Sequence, residues 1–365
     1  MSVHAHRPGI AGSGGITAPE SERDVREYLS EMLRWHFDEE TGSRFWVGHR
    51  DALPFDPVTD IRTCDDLRRF PSRVNELRDV RVEDLIPRGL ADEPPPYVVE
   101  SGGTTGQPKR AILSRIQIER LVDMYCGYVP EAAGHTMLSL FPTGPHLAGN
   151  WQRRWARRLR VLYLQVDIDP RWVKSGIGTE LQDRYAAHVL AQARDVLSTQ
   201  RVGHLLVTPP LLRRIARSDE LRELVRATVR VITWGGARMT REELYEYSQL
   251  VFPDAAFVAT YASSITGTRA LLRRTTGFDD LPVFDPAGPE LFVRVVDPGT
   301  RTPVPYGVRG QVLMHTITRD MFLPNNLERD LAVRVSRGED WLGDSVADVV
   351  PLPEFEGSRV VEGIY

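Results

Sequence analysis

Glu100-Ser101-Gly102-Gly103-Thr104-Thr105-Gly106-Gln107-Pro108-Lys109 lies between two short apolar runs near the end of the first third of the chain. Lacking a Cβ, Gly102, Gly103 and Gly106 let the backbone approach an anion closely. Ser101, Thr104 and Thr105 add hydroxyl donors, and Lys109 sets a point charge at the rim. Tyr97-Val98-Val99 before the stretch and Ala111-Ile112-Leu113 after it read as strands, with a helical pattern starting near Arg115. The stretch is therefore a strand-to-strand loop suited to phosphate. A flexible hairpin turn is the plainer reading of any Gly-rich loop. Against it stands the placement of Lys109, one of only two lysines (with Lys174) among 46 Lys and Arg residues.

A Walker A loop needs Gly-Lys-Ser/Thr directly before a helix, whereas here Gln107 and Pro108 intervene and a strand follows. The chain of 365 residues suits two or three subdomains. A net charge of −4 argues against a general binder of nucleic acid or anionic membrane. The basic aromatic cluster of Trp151, Trp155, Arg153, Arg154, Arg157 and Arg158 reads as a helix with a mixed face, its tryptophans free to border an aromatic substrate. Cys64 and Cys126 make neither a disulfide framework nor a metal-spacing motif, which places the chain in a reducing, cytoplasmic setting. No apolar run is long enough to span a bilayer, and residues 1–20 read as a disordered tail without a signal-peptide core.

Downstream, the pattern is strand, loop, helix. Ser21 with Asp24 predicts a helix start, with Val25, Tyr28, Leu29, Met32 and Leu33 on one face. Thr136–Phe141 predicts a buried strand that runs into a Gly/Pro loop carrying His146, and strand-end loops of open α/β sheets line ligand crevices. Leu205-Leu206-Val207 and Val229–Trp234 predict two more strands; the second runs into Gly235, Gly236, Ala237 and Arg238 before a Thr240/Glu243 capping box. Ala255–Thr260 predicts another, ending at Tyr261, Ser263 and Ser264. From about Leu281 short strands and turns predict a β-rich subdomain.

Gly103–Lys109 resembles the phosphate-loop signature of the adenylate-forming enzymes, the superfamily of acyl-CoA ligases, luciferases and nonribosomal-peptide adenylation domains. Gly102 departs from that signature, standing where the family usually carries Ser or Thr. Asp60–Pro71 resembles the region of phenylacetate-CoA ligases in which an Asp-Leu dipeptide and a Pro precede a loading helix. His146-Leu147-Ala148-Gly149 is similar to the family's His-x-x-Gly beside the acyl pocket, and Gly235-Gly236 to its adenine-contacting glycines. Tyr261-Ala262-Ser263-Ser264-Ile265 resembles Tyr-Gly-x-Thr-Glu, with Ile265 in the place of the magnesium-bound Glu. Gly343-Asp344 resembles the Gly-Asp that receives the ribose hydroxyls, and Arg359 the hinge-side arginine.

The resemblance implies an α/β fold: two packed α/β sheet subdomains over residues 21–280, plus a small β-barrel-like subdomain over residues 281–365. It implies ATP and Mg²⁺ as cofactors, Lys109, Thr104, Thr105 and His146 in the chemistry, and Ser101, Gly102, Gly103, Gly106, Gly235, Gly236, Ala237, Tyr261, Ser263, Ser264, Asp344 and Arg359 around the nucleotide. Full-length relatives add a mobile domain of about a hundred residues, and the sequence is expected to lack it, as do shortened relatives in phenazine antibiotic biosynthesis. The implied reaction is adenylation of an aromatic carboxylic acid of secondary metabolism, with the acyl group passing to a separate reductase or another acceptor. A non-catalytic nucleotide- or acyl-binding protein and an acyl-CoA ligase are the alternatives, and a homodimer is compatible with each.

Overall fold

Short, largely apolar runs of three to six residues recur from Met137 onward, all but the last followed by a helix, and they fold as the parallel half of one sheet. The structure is a computed structural model that describes residues 22–101, 107–176, 178–263, 265–274, 281–338, 343–355 and 358–359. A hairpin, β1 (Tyr97–Glu100) and β2 (Arg110–Leu113), comes first, with Glu100 opposite Arg110 at the neck of the Gly-rich loop. The parallel strands β3 (Met137–Leu140), β4 (Tyr163–Gln165), β5 (His204–Val207), β6 (Val231–Trp234) and β7 (Ala256–Tyr261) follow. Every residue of β3, β5 and β6 is buried, as expected of strands covered by helices on both faces.

The antiparallel half comprises β8 (Ala270–Leu272), β9 (Val283–Pro286), β10 (Leu291–Val296), β11 (Arg309–Ile317), β12 (Phe322–Val335) and β13 (Ser345–Pro351). Together the two halves form an eleven-stranded mixed sheet of order β10-β11-β12-β13-β9-β8-β7-β6-β5-β3-β4. The α/β class expected from sequence is what the chain adopts. The halves are continuous through β7: Trp234 of β6 pairs in parallel with its Ala259, and Ala270 of β8 pairs antiparallel with its Tyr261. Strands on either side of residue 280 thus share one sheet, Leu271 pairing with Asp285.

The predicted first helix spans Glu22–Phe37, and Leu29, Met32, Leu33 and Phe37 are fully buried. It packs on the far end of the chain. The Tyr28 hydroxyl donates to the Ile317 carbonyl, and His36 Nε2 lies 2.7 Å from the Thr318 carbonyl oxygen. Phe322 is enclosed by Phe37, Phe70 and Trp46, with ring centroids 5.1–5.7 Å away. Burial pushes the His36 imidazole down to about 4, so it joins this core uncharged.

Among the described residues no helix is long and apolar enough to cross a membrane. Both cysteines are free thiols. Two arginines of the helix Leu147–Leu159 are tied to acidic side chains of the helix Arg115–Tyr128, Arg154 to Glu119 at 3.1 Å and Arg158 to Glu119 at 2.6 Å. They form the mixed face read from the sequence.

Asp344 faces the protein interior. It is fully buried at the start of β13, 2.9 Å from Arg334 Nε and 3.6 Å from Arg294, and it accepts from the Val295 amide at 3.0 Å. Gly343 before it has φ +94°, a left-handed conformation that glycine adopts without strain. The Gly-Asp pair therefore turns the chain into β13 and pairs with Arg334, while Arg294 is shared between Asp344 and Asp65. Arg359 pairs by its backbone with Glu354 in a two-residue ladder, its side chain lying outside the described residues, as do residues 1–20. Asp344→Ala is expected to leave Arg334 with an uncompensated buried charge and to cost about 3–5 kcal/mol in urea unfolding. A variant as stable as the parent would contradict this structural role.

Candidate active site

The parallel strands end on one edge, and their loops meet the antiparallel half at β7. Ligand crevices of open α/β sheets lie at such carboxyl ends. Here the loops after β3, β6 and β7 enclose a cleft of about 250 Å³, closed on its other side by β12 and β13. It brings together His146, Gly235, Gly236, Ala237 and Tyr261, five residues singled out from the sequence. Arg329, Asp330 and Asp348 also line it, and local sequence reading missed all three.

One end of the cleft is a shelf. Gly236 has φ +81°, and a Cβ on Gly235 would sit 3.3 Å from the Thr260 carbonyl oxygen, so both positions favour glycine and leave bare backbone facing the cleft. The Thr240 capping box starts the next helix as expected, with Glu243 Oε2 accepting from the Thr240 amide at 3.0 Å. Arg213 holds Glu243 at 2.6 Å and donates to the Arg238 carbonyl at 2.9 Å, which fixes the loop from below. Arg238 in turn pairs with Asp348 of β13 at 3.0 Å.

Opposite the shelf, the Tyr261 hydroxyl donates to Asp330 Oδ2 at 2.9 Å. Burial, with the Asp330 and Glu328 carboxylates, pushes the phenol well above its usual range, so it stays a donor. Asp330 and Glu328 are two apart on β12, where its pairing with β11 shifts register between Leu327 and Leu331. Burial and then the Asp330 charge push Glu328 up to about 7, while the Lys109 and Arg329 charges oppose the rise. Lys109 thus faces the same strand as the cleft acids.

At the neck of the Gly-rich loop, Ser101 Oγ accepts from the Lys109 amide at 2.9 Å, and the Ser101 amide donates to the Lys109 carbonyl at 2.9 Å. Glu100 Oε1 pairs with Arg110 at 3.1 Å, and Arg171 reaches its other oxygen. Gly102, Gly103, Thr104, Thr105 and Gly106 lie outside the described residues, as does Ser264. The Ser263 carbonyl accepts from Thr266 Oγ1 at 2.9 Å, and Ile265 is buried.

The other end of the cleft is aromatic. His146 is buried at the start of the helix Leu147–Leu159. One turn on, Trp151 stacks on Tyr125 with centroids 4.0 Å apart and planes at 21°. Thr260 Oγ1 lies 2.9 Å from the Tyr125 hydroxyl oxygen. Successive residues of a strand point to opposite faces. Tyr261 therefore serves the shelf end and Thr260 the aromatic end.

No protein-family model matches the chain, and no curated protein sequence matches it. Solved structures do. 2-Hydroxyisobutyryl-CoA ligase in its postadenylation state, with 2-HIB-AMP, superposes with a TM-score of 0.64 at 12% identity, over 99% of this chain and 76% of that one. Its open conformation with 2-HIB-AMP and CoA gives 0.63 at 12% identity, covering 98% and 84%. The thioesterification state with the same ligands gives 0.61 at 13%, covering 89% of this chain and 66% of the ligase. The chain has the mixed α/β fold of these ligases.

Glu328 supplies a pH test. Its folded pKa lies above the usual carboxylate value, so between about 4.3 and about 7 the folded chain holds a proton there that the unfolded chain has released. Stability from this group is therefore present at low pH and lost as pH rises through that window. Glu328→Gln is expected to flatten the fall in urea midpoint between pH 5 and pH 8; an unchanged slope would show that Glu328 is not the group responsible.

Proposed function

We propose that the chain activates a carboxylic acid with ATP, giving acyl-AMP and pyrophosphate. The observation that carries the proposal is one cleft with two chemically different ends meeting at β7, a bare glycine shelf facing the Tyr261–Asp330 pair and an aromatic chamber beside His146. In this reading adenine lies on Gly235, Gly236 and Ala237 against the Tyr261 ring, and the Asp330 carboxylate accepts the ribose hydroxyls. Asp330 takes the role expected of Asp344, because it lines the cleft while Asp344 is buried among arginines. The phosphates extend toward Ser101, Gly102, Gly103, Thr104, Thr105, Gly106 and Lys109, with Ser263 and Ser264 as further hydroxyls and Arg359 near the hinge.

A carboxylate oxygen of the acid attacks the α-phosphorus, the new P–O bond forming as the bond to pyrophosphate breaks and its electron pair leaves with that group. No proton changes hands. Positioning and electrostatic stabilisation then account for the rate, with Lys109 steadying the phosphate charge. The metal set does not fit a protein-bound Mg²⁺. Ile265 offers no oxygen, and among the described residues no group of three His, Cys, Asp or Glu is placed to hold an ion.

The aromatic chamber favours an aromatic acid, as the resemblance to phenazine-type enzymes does. For the acyl acceptor, a reductase or an amine is the first reading. CoA is the second, since two of the three ligase structures sharing the fold hold CoA beside 2-HIB-AMP. Pyrophosphate release from ATP on adding aromatic acids tests the activation step, and mass detection of thioester when CoA is supplied separates the two acceptors. Release that is the same with and without acid would contradict the proposal. Asp330→Ala removes a charged acceptor and is expected to weaken ATP and AMP binding by about 1.5–3 kcal/mol by calorimetry. Unchanged affinity in that variant would place the nucleotide elsewhere.

A further inference from the structure

Arg269 stands immediately before β8 and lines the aromatic end of the cleft. It is only 9% exposed, yet no ion pair joins it to an acidic side chain among the described residues. Its Nε is buried without a hydrogen-bond partner. Around it are the Tyr125 phenol and the face of Trp151, whose ring centroid is 6.0 Å from the guanidinium carbon. Neighbouring arginines show the contrast. Arg120 pairs with Glu290 at 2.9 Å, Arg273 with Asp285 at 2.7 Å, and Arg274 with Glu131.

A guanidinium always carries its charge, and taking it out of water without a carboxylate is costly. Cation–π contact with one indole offsets only part of that cost. A planar fork of five donors in a ligand chamber matches a carboxylate, to which it donates in two parallel hydrogen bonds. We infer that Arg269 receives a second carboxylate on the substrate, so that the acid activated here is a dicarboxylic acid with an apolar, planar or extended spacer lying along Trp151. This rests on the adenylation reading for which carboxylate reacts. The carboxylate at the β7 end meets the nucleotide, and the remote one meets Arg269.

Arg269 is a binding and specificity residue. It leaves the reacting atoms to the groups around the nucleotide. Without the diacid its charge is uncompensated, so Arg269→Met is expected to leave the ligand-free protein as stable as the parent or more so. Losing a hydrogen-bonded charge pair commonly weakens binding by about ten- to a hundredfold.

The experiment measures binding of matched acids by calorimetry on the full chain: isophthalate and terephthalate against benzoate, and glutarate against butyrate. Wild type, Arg269→Met and Arg269→Lys are compared, with thermal melts of each ligand-free protein. The expected result is at least tenfold tighter binding of one diacid over its monoacid in wild type, lost in Arg269→Met and partly kept in Arg269→Lys. Equal binding of diacids and monoacids in wild type overturns the inference. So does a preference that survives Arg269→Met. If Arg269→Met does not fold, the same comparison is read on Arg269→Lys. Pyrophosphate release is followed in parallel. Diacid binding that depends on Arg269 without ATP consumption would leave this inference standing and remove the adenylation reading, whereas release driven by monoacids alone would do the reverse.

Discussion

The pairing of β7 with a parallel neighbour on one edge and an antiparallel neighbour on the other is the constraint on which the rest depends. Ala259 is held by β6, and two residues later Tyr261 is held by β8. The change of partner lets the edge where the parallel strands end face the long strand β12 instead of open solvent. Without it, the Tyr261 hydroxyl would not reach Asp330. The strand's two-residue alternation then assigns Thr260 and Tyr261 to opposite ends of the cleft.

Packing protects that junction from far away in sequence. The first helix is bound to the end of β11 through Tyr28 and His36, and Phe322 at the start of β12 sits in a cage of Phe37, Phe70 and Trp46. Burying a large aromatic side chain stabilises by about 1.5–3 kcal/mol, so this cage anchors β12 firmly. The buried Asp344 with Arg334 does the same work at β13, which carries Asp348 into the cleft wall.

Much of this was readable in the sequence where the signal is local. His146, Gly235, Gly236 and Tyr261 each follow a buried strand, and a strand-to-loop transition is visible within a few residues. The α/β class, the hairpin around the Gly-rich loop and the Thr240 capping box rest on equally short patterns. The expectation for Asp344 rests on Gly-Asp, a two-residue cue, and the turn at Gly343 is a separate reason for the glycine. Asp330 was hidden inside a fourteen-residue strand, where only the charged run Glu328-Arg329-Asp330 marks it. Its position in the cleft depends on pairings between β12 and β13, which no window of sequence contains. Arg269 was missed for a similar reason: its aromatic neighbours Tyr125 and Trp151 stand on two helices far earlier in the chain.

The most direct test of the account is where a nucleotide attaches. Photolabelling with 8-azido-ATP, with and without excess ATP, followed by peptide mapping, reads the site without requiring turnover. The account predicts ATP-protected label within residues 234–240 or on Tyr261, at the shelf or its facing ring. Protected label confined to peptides outside the cleft, with residues 234–240 and 261 unmodified, would contradict it.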